Sequence, residues 1–175
     1  MFRKLLISVA LMSALAWGQG ASMGHAKSAK KGASPMAAAA QPVVLNLGDM
    51  KWGPAPDVLP PGAQVAVLEG DPSKAGPFTM RLKVPDGYKI QPHWHPASEA
   101  ITVLSGTFKV GMGATWNTDN PTILSSGAFA VVPARMKHFA WTSGDTVLQV
   151  HGMGPFKLNY VNPNDSPLKP APIAK

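Results

Sequence analysis

Cysteine is absent from the 175 residues, which excludes a disulfide scaffold and any zinc site built on thiolates. Sustained helical spacing is missing as well, so the apolar residues give no reason to expect a helical bundle. Acidic residues are missing from the first 41 positions, which hold Arg3, Lys4, Lys27, Lys30 and Lys31, and much of the formal charge of +7 belongs to that stretch. The remainder sets 11 Lys and Arg against 9 Asp and Glu. A body so close to neutral has no basic stripe of the kind a phosphate backbone requires, and no nucleic-acid partner is expected. With 45% hydrophobic and 14% charged residues, 18 Pro and 17 Gly, the composition fits one compact domain with extensions.

The apolar run from Leu5 to Trp17 falls short of the roughly 20 residues that span a bilayer. It follows a basic start at Arg3 and Lys4 and precedes the small residues Gly18, Gly20, Ala21, Gly24 and Ala26. Residues 1–26 therefore read as a signal peptide, and the mature protein is expected to be periplasmic or secreted, without membrane contact after cleavage. No twin-Arg pair is present, so the chain is expected to cross unfolded and to collect any metal outside. Residues 27–41, rich in Ala, Ser and Lys, read as a flexible low-complexity linker. Residues 163–175 read as a Pro-rich C-terminal tail, which leaves 42–162 as the working domain.

Within that domain, short apolar or alternating runs recur between Gly, Pro, Asn and Asp residues. Phe78, Met80, Leu82 and Val84 alternate with Thr79, Arg81 and Lys83, as in a strand with one wet face. Similar runs are Gln64 to Leu68, Ala100 to Leu104, Thr107 to Met112, Ala128 to Val132, Lys137 to Thr142, Thr146 to His151 and Phe156 to Val161. Many short strands with tight turns predict an all-β, antiparallel sandwich or barrel. The Pro-rich stretch Trp52 to Gly62 and the polar segment Gly113 to Pro121 read as surface loops, the second as a candidate border of a pocket mouth.

The strongest signal is Gly87, five residues, His93, Trp94, His95, three residues, Glu99, six residues, Gly106. Two residues apart on an extended chain, His93 and His95 present their rings on one face while Trp94 points away. The alternation of Glu99 with Ile101 and Val103 can bring its carboxylate beside them, and Gly127, Pro133 and His138 follow some forty residues on. Three imidazoles and a carboxylate make a mixed nitrogen and oxygen site suited to divalent Mn, Fe, Co, Ni, Cu or Zn.

These residues resemble the cupin superfamily. Its first motif, G, five residues, HxH, three or four residues, E, six residues, G, is matched at every fixed position by Gly87, His93, His95, Glu99 and Gly106. Its second, G, five residues, PxG, two residues, H, three residues, N, is matched by Gly127, Pro133 and His138, while Arg135 stands in the Gly slot and Thr142 in the Asn slot. If that turn needs positive φ, Arg135 carries a backbone cost or the turn differs. The resemblance spans roughly Gln64 to Gly152 and implies a single-domain antiparallel jelly-roll (cupin) barrel with the metal inside. By the same resemblance His93, His95, Glu99 and His138 are the metal ligands, and the subunits form a homodimer. More narrowly, the chain is similar to secreted single-domain (cupin type-2-like) proteins of unassigned substrate, in which a run like Gln149 to Phe156 (QVHGMGPF) follows the two motifs. By analogy with exported members the divalent transition metal is manganese, ahead of Zn, Cu, Ni or Fe.

Gln149 and His151 share strand parity with Val147. If that face lines the barrel, they are the candidate catalytic pair, as orienter or general base beside the metal; otherwise they serve core hydrogen bonding. Trp94, Phe139 and Trp141 fall on the parity opposite their neighbouring ligands and are expected to pack between sheets or against a second subunit. The expected function is an exported metal-dependent enzyme acting on a small oxygenated substrate by dioxygenase, decarboxylase or isomerase/lyase chemistry. The alternative is a non-catalytic periplasmic small-ligand or metal-binding protein.

Overall fold

The computed structural model describes residues 41–168. The stretch read as a signal peptide (1–26), all but the last residue of the stretch read as a linker (27–41) and the end of the stretch read as a tail (163–175) lie outside the described residues. Nine strands are formed among the described residues: β1 (Gly53–Pro54), β2 (Gln64–Glu69), β3 (Gly76–Val84), β4 (Lys89–Trp94), β5 (Glu99–Met112), β6 (Thr122–Ser125), β7 (Phe129–Val132), β8 (His138–Gly154) and β9 (Asn159–Tyr160). Among the described residues the only helical turns are two short 3-10 turns, Leu47–Asp49 and Pro163–Asp165.

All pairings are antiparallel, in the order β1-β2-β3-β8-β4-β9, with β5 joining β6, β7 and β8. Strands β5 and β8 form the spine. Glu99 pairs with Gly152 at one end of their ladder and Met112 with His138 at the other. On a flat sheet those ends would stand about 40 Å apart, yet the Glu99 carboxylate lies 3.8 Å from the His138 ring. The spine must therefore curl until its ends face one another, which is how a jelly-roll barrel closes.

The curl is made where the register of β5 against β8 shifts, between Val103 and Thr107. Gly106 sits at that corner with φ 81°, opposite Gly144 with φ 75°. Reading glycine as a stop divides β5 and β8 into two runs each; here the same glycines are bends inside continuous strands.

Inside the curl, the alternation seen in the sequence becomes burial. Phe78, Met80, Leu82 and Val84 of β3, Ile101, Val103, Phe108 and Val110 of β5, and Leu148 and Val150 of β8 make one core. Thr79, Arg81 and Lys83 take the other face, as the period of two requires.

Four details depart from expectation. The Trp52 to Gly62 stretch contains the edge strand β1, whose residues Gly53 and Pro54 pair with Val65 and Gln64. The short strand β6 follows the Gly113 to Pro121 loop and pairs with Phe108 and its neighbours. Of Phe156 to Val161 only Asn159 and Tyr160 are strand, because the backbone N–H of Phe156 donates to the Pro72 carbonyl (2.7 Å) instead of to a ladder.

Finally, the Gly113 to Pro121 loop does not border the barrel interior. Its Trp116 covers Phe139 and Trp141 on the outer face of β8, with ring centroids 5.0 and 5.4 Å away. Phe139 is almost wholly buried there. It lies across Gly111, where any Cβ would collide with its ring.

Candidate metal centre

The strand ends that meet in the curl carry His93 in β4, His95 just beyond it, Glu99 at the start of β5 and His138 at the start of β8. His93 pairs directly with His138 across the β4/β8 ladder. All four are buried. One nitrogen from each of His93, His95 and His138 lies within 4.8 Å of the others. Glu99 Oε2 stands 3.5 Å from His95 Nε2 and 3.8 Å from His138 Nε2. The fold thus brings the three expected imidazoles into one group, with Glu99 beside two of them but outside the group whose ligand atoms all lie within 4.8 Å of one another.

The tautomers follow from the hydrogen bonds. His93 Nδ1 faces the Gln91 carbonyl at 2.7 Å, His95 Nδ1 the Lys157 carbonyl at 2.8 Å and His138 Nδ1 the Met136 carbonyl at 3.0 Å. Carbonyls only accept, so each Nδ1 donates, and each neutral ring is left with an unprotonated Nε2. This is the arrangement by which an outer partner orients an imidazole toward a metal. His95 Nε2 is buried without a hydrogen-bond partner, and such an orphaned acceptor costs roughly 1–3 kcal/mol unless something satisfies it. A divalent transition ion fits the donor set.

Burial also sets the charges. It holds the His93 ring down to about 2, helped by the neighbouring His138 and His95 rings. It lowers His95 and His138 too, against the opposing pull of the Lys157 and Met136 carbonyls. The same burial pushes the Glu99 carboxyl up to about 7, with His138 pulling the other way. With neutral rings, the short contacts from Glu99 to His95 and His138 are not ion pairs in the metal-free protein.

A pH dependence follows. Imidazoles held neutral contribute stability that is present above their unfolded value near 6.5 and lost as pH falls below it. A carboxyl with a raised value acts in the opposite sense, favouring the fold as pH falls from about 7 toward 4.5. Three rings oppose one carboxyl, so metal-free protein is expected to lose stability as pH falls from about 6.5 to 5. Thermal unfolding with chelator present should show a Tm that falls by several degrees over that interval; a flat or rising Tm would contradict the neutral-ring assignment.

The two substitutions in the second motif are accommodated. Arg135 takes φ 65°, the left-handed conformation a glycine would adopt freely. Its N–H donates to the His95 carbonyl (2.8 Å), and the Met136 N–H closes the turn on the Pro133 carbonyl (3.1 Å). The strained turn thus ties the segment before His138 to the segment carrying His95. Thr142 is buried; its hydroxyl donates to the Pro85 carbonyl (2.7 Å) and accepts from the Tyr88 N–H (3.0 Å). It thereby braces the turn that launches β4.

Gln149 and His151 are not part of this centre, which corrects the expectation that they line the barrel. Leu148 and Val150 of the same strand face the cavity, and the period of two sends Gln149 and His151 to the outer face. There they form a chain with β3. Gln149 Nε2 donates to His151 Nε2 (3.1 Å), His151 Nδ1 meets Thr79 Oγ1 (3.1 Å), and Arg81 Nε donates to Gln149 Oε1 (3.0 Å). Arg81 is consumed by that row and by Met50 Sδ (3.3 Å).

One contributor has no counterpart in the sequence reading. The Phe156 ring stacks on the His95 ring at 4.9 Å and 21°, and the next residue supplies the carbonyl that orients His95. Phe156 is the last residue of the run QVHGMGPF, which is the sequence signal for this segment. The cavity beside the quartet holds about 30 Å³, room for one or two water molecules or an ion. Its other walls are Leu59, Leu82, Ile90, Ile101, Phe108, Ala140, Leu148, Val150, Phe156 and Leu158.

Residues 80–152 match the family model described as "Cupin domain". Germin-like protein 5-1 of Oryza sativa subsp. japonica is 36% identical over 86 residues, which are 49% of this chain and 38% of the rice protein. The match thus spans well under half the length of that relative. The polyketide cyclase RemF from Streptomyces resistomycificus superposes with a TM-score of 0.59 at 15% identity, over 71% of this chain and 88% of the cyclase. An RmlC-like cupin from Ralstonia eutropha gives 0.54 at 20% identity, over 70% and 74%. At these identities the structural matches establish the fold alone.

Proposed function

The chain belongs to the cupin superfamily, and from that premise we propose an exported metal-dependent enzyme acting on a small oxygenated molecule, with His93, His95, Glu99 and His138 as metal ligands. The observation that carries this reading is the convergence of three oriented, neutral imidazoles whose His95 Nε2 has no partner within the protein. A divalent ion held there would polarise a carbonyl, enolate or carboxylate oxygen of the substrate. The apolar walls would keep bulk water from the reacting oxygen, and Glu99, beside two of the rings, is the cavity's carboxyl for holding or returning a proton. The cyclase description of one structural relative supports an enzyme without choosing its reaction. Export rests on the composition of residues 1–26. Manganese, a homodimer and a periplasmic or secreted location are part of the same proposal.

One observation favours a second reading, a non-catalytic small-ligand or metal-binding protein. Apart from the quartet, the cavity lining has no titratable side chain. Turnover separates the two. With a panel of small hydroxy- and oxo-acids followed by dioxygen uptake and carbon dioxide release, the enzyme reading expects the metal-loaded parent to turn over a panel member, and Glu99→Gln, compared at matched metal content because Glu99 is also a proposed ligand, to do so at least about 10²-fold more slowly. His151→Ala is expected to leave metal content and turnover unchanged. A silent panel, with ligands binding to metal-loaded protein, would favour the binder.

A further inference from the structure

A second cavity of about 360 Å³ adjoins the metal cavity, and Leu59, Leu82 and Phe156 line both. Its other walls include Val58, Val65, Val67 and Met80. Val65 pairs with Leu82 and Val67 with Met80 across β2 and β3, so the chamber continues along the inner face that holds the core. From this geometry we infer that the chamber receives the apolar tail of a substrate whose chelating oxygen head reaches the metal past the Phe156 ring. The inference rests on the metal reading above and adds the substrate's shape and chemistry.

Three observations carry it. The volume suits an aliphatic or aromatic tail on the order of ten carbons. The polar side chains that line the chamber are engaged with one another and with Lys74: Asp71 accepts from Ser73 Oγ (2.6 Å) and Ser73 N–H (2.9 Å) and pairs with Lys74 (2.8 Å). A ligand head there would compete with these contacts, whereas His95 Nε2 in the metal cavity has no partner, so the polar end belongs at the metal.

The partition also has a fixed part and a turning part. Tyr88 donates to the Pro60 carbonyl (2.6 Å) and Tyr160 to the Val58 carbonyl (3.0 Å), which pins the segment carrying Leu59. The Phe156 backbone is held by Pro72. Its side chain, half-buried and lining both cavities, makes stacking and edge contacts with His95 and Phe78, and no hydrogen bond holds the ring in place.

The test uses the full mature chain loaded with cobalt(II), whose visible bands report a new ligand, titrated with alkyl hydroxamates from acetohydroxamate to octanohydroxamate. Each added methylene is expected to tighten binding about three- to four-fold. Val67 is half exposed at the chamber rim, and Val67→Asp should abolish that gain for the long chains while acetohydroxamate binds as before. Phe156→Ala should speed association of the long chains. Acetohydroxamate binding with no dependence on chain length, or a dependence unchanged in Val67→Asp, would overturn the chamber and leave the metal reading standing. Cobalt bands that no hydroxamate perturbs, or protein that takes up no cobalt, would overturn both.

Discussion

His138→Ala is expected to lower affinity for a divalent ion by about 10²- to 10³-fold, with His93→Ala matching it. Apparent binding free energies of structural zinc run to roughly 10–16 kcal/mol over four ligands, so one donor carries about 3–4 kcal/mol, and every 1.4 kcal/mol is tenfold. The effect should not be confused with unfolding. His138 sits at the mouth of its strand, pairs with His93 and Met112 and is bonded only to a carbonyl two residues away. The metal-free variant should therefore unfold near the metal-free parent. Metal analysis of untagged protein, with thermal unfolding in the presence and absence of chelator, separates the two. The parent should hold one equivalent and lose stability when stripped. The variants should hold far less and show almost no difference. Equal metal in parent and variants would remove the basis for placing an ion at these rings.

The second large effect is structural. Gly106→Ala should destabilise the domain by about 3–5 kcal/mol. A Cβ at that corner would run into Thr146 Oγ1 and come within 2.5 Å of the Asp145 carbonyl oxygen and 2.8 Å of Thr146 Cα. Thr146 cannot yield, because it is wholly buried and its hydroxyl accepts from the Thr107 N–H and donates to the Gly144 carbonyl. Gly127→Ala is the comparison: φ is 86° there too, but no atom lies within 4 Å of the added carbon, so only the conformational cost of about 1 kcal/mol remains. Denaturant midpoints of the two variants isolate the steric part. Since the corner brings Glu99 round to His138, Gly106→Ala should also weaken metal binding; two variants of equal stability would show that the corner is not tightly packed.

Much of this architecture was legible before any coordinates. The alternation in Phe78 to Val84 marked a strand and its inner face, and the spacing of His93, His95, Glu99 and His138 marked residues that the fold gathers at one point. Other features were hidden for physical reasons. Gly106 and Gly144 read as interruptions because a turn and an in-strand bend place the same demand on φ. Strand β1 is two residues long and includes a proline, which strand patterns exclude except at an edge, where it lies. The face of Gln149 and His151 was readable, since the apolar Leu148 and Val150 between them had the stronger claim on the interior. Arg135 shows that a motif position can keep its conformation without its residue, with the strain held by hydrogen bonds to neighbouring segments.

The opposing strand ends carry a consequence for a protein built without sulfur bridges. An ion gripping His93 and His138 would close a loop of about 45 residues, and in the chain-entropy account a covalent tie of that span is worth about 4 kcal/mol. The imidazoles would then act as a removable staple: mineral supply, rather than oxidising power, would govern how long the molecule survives proteases.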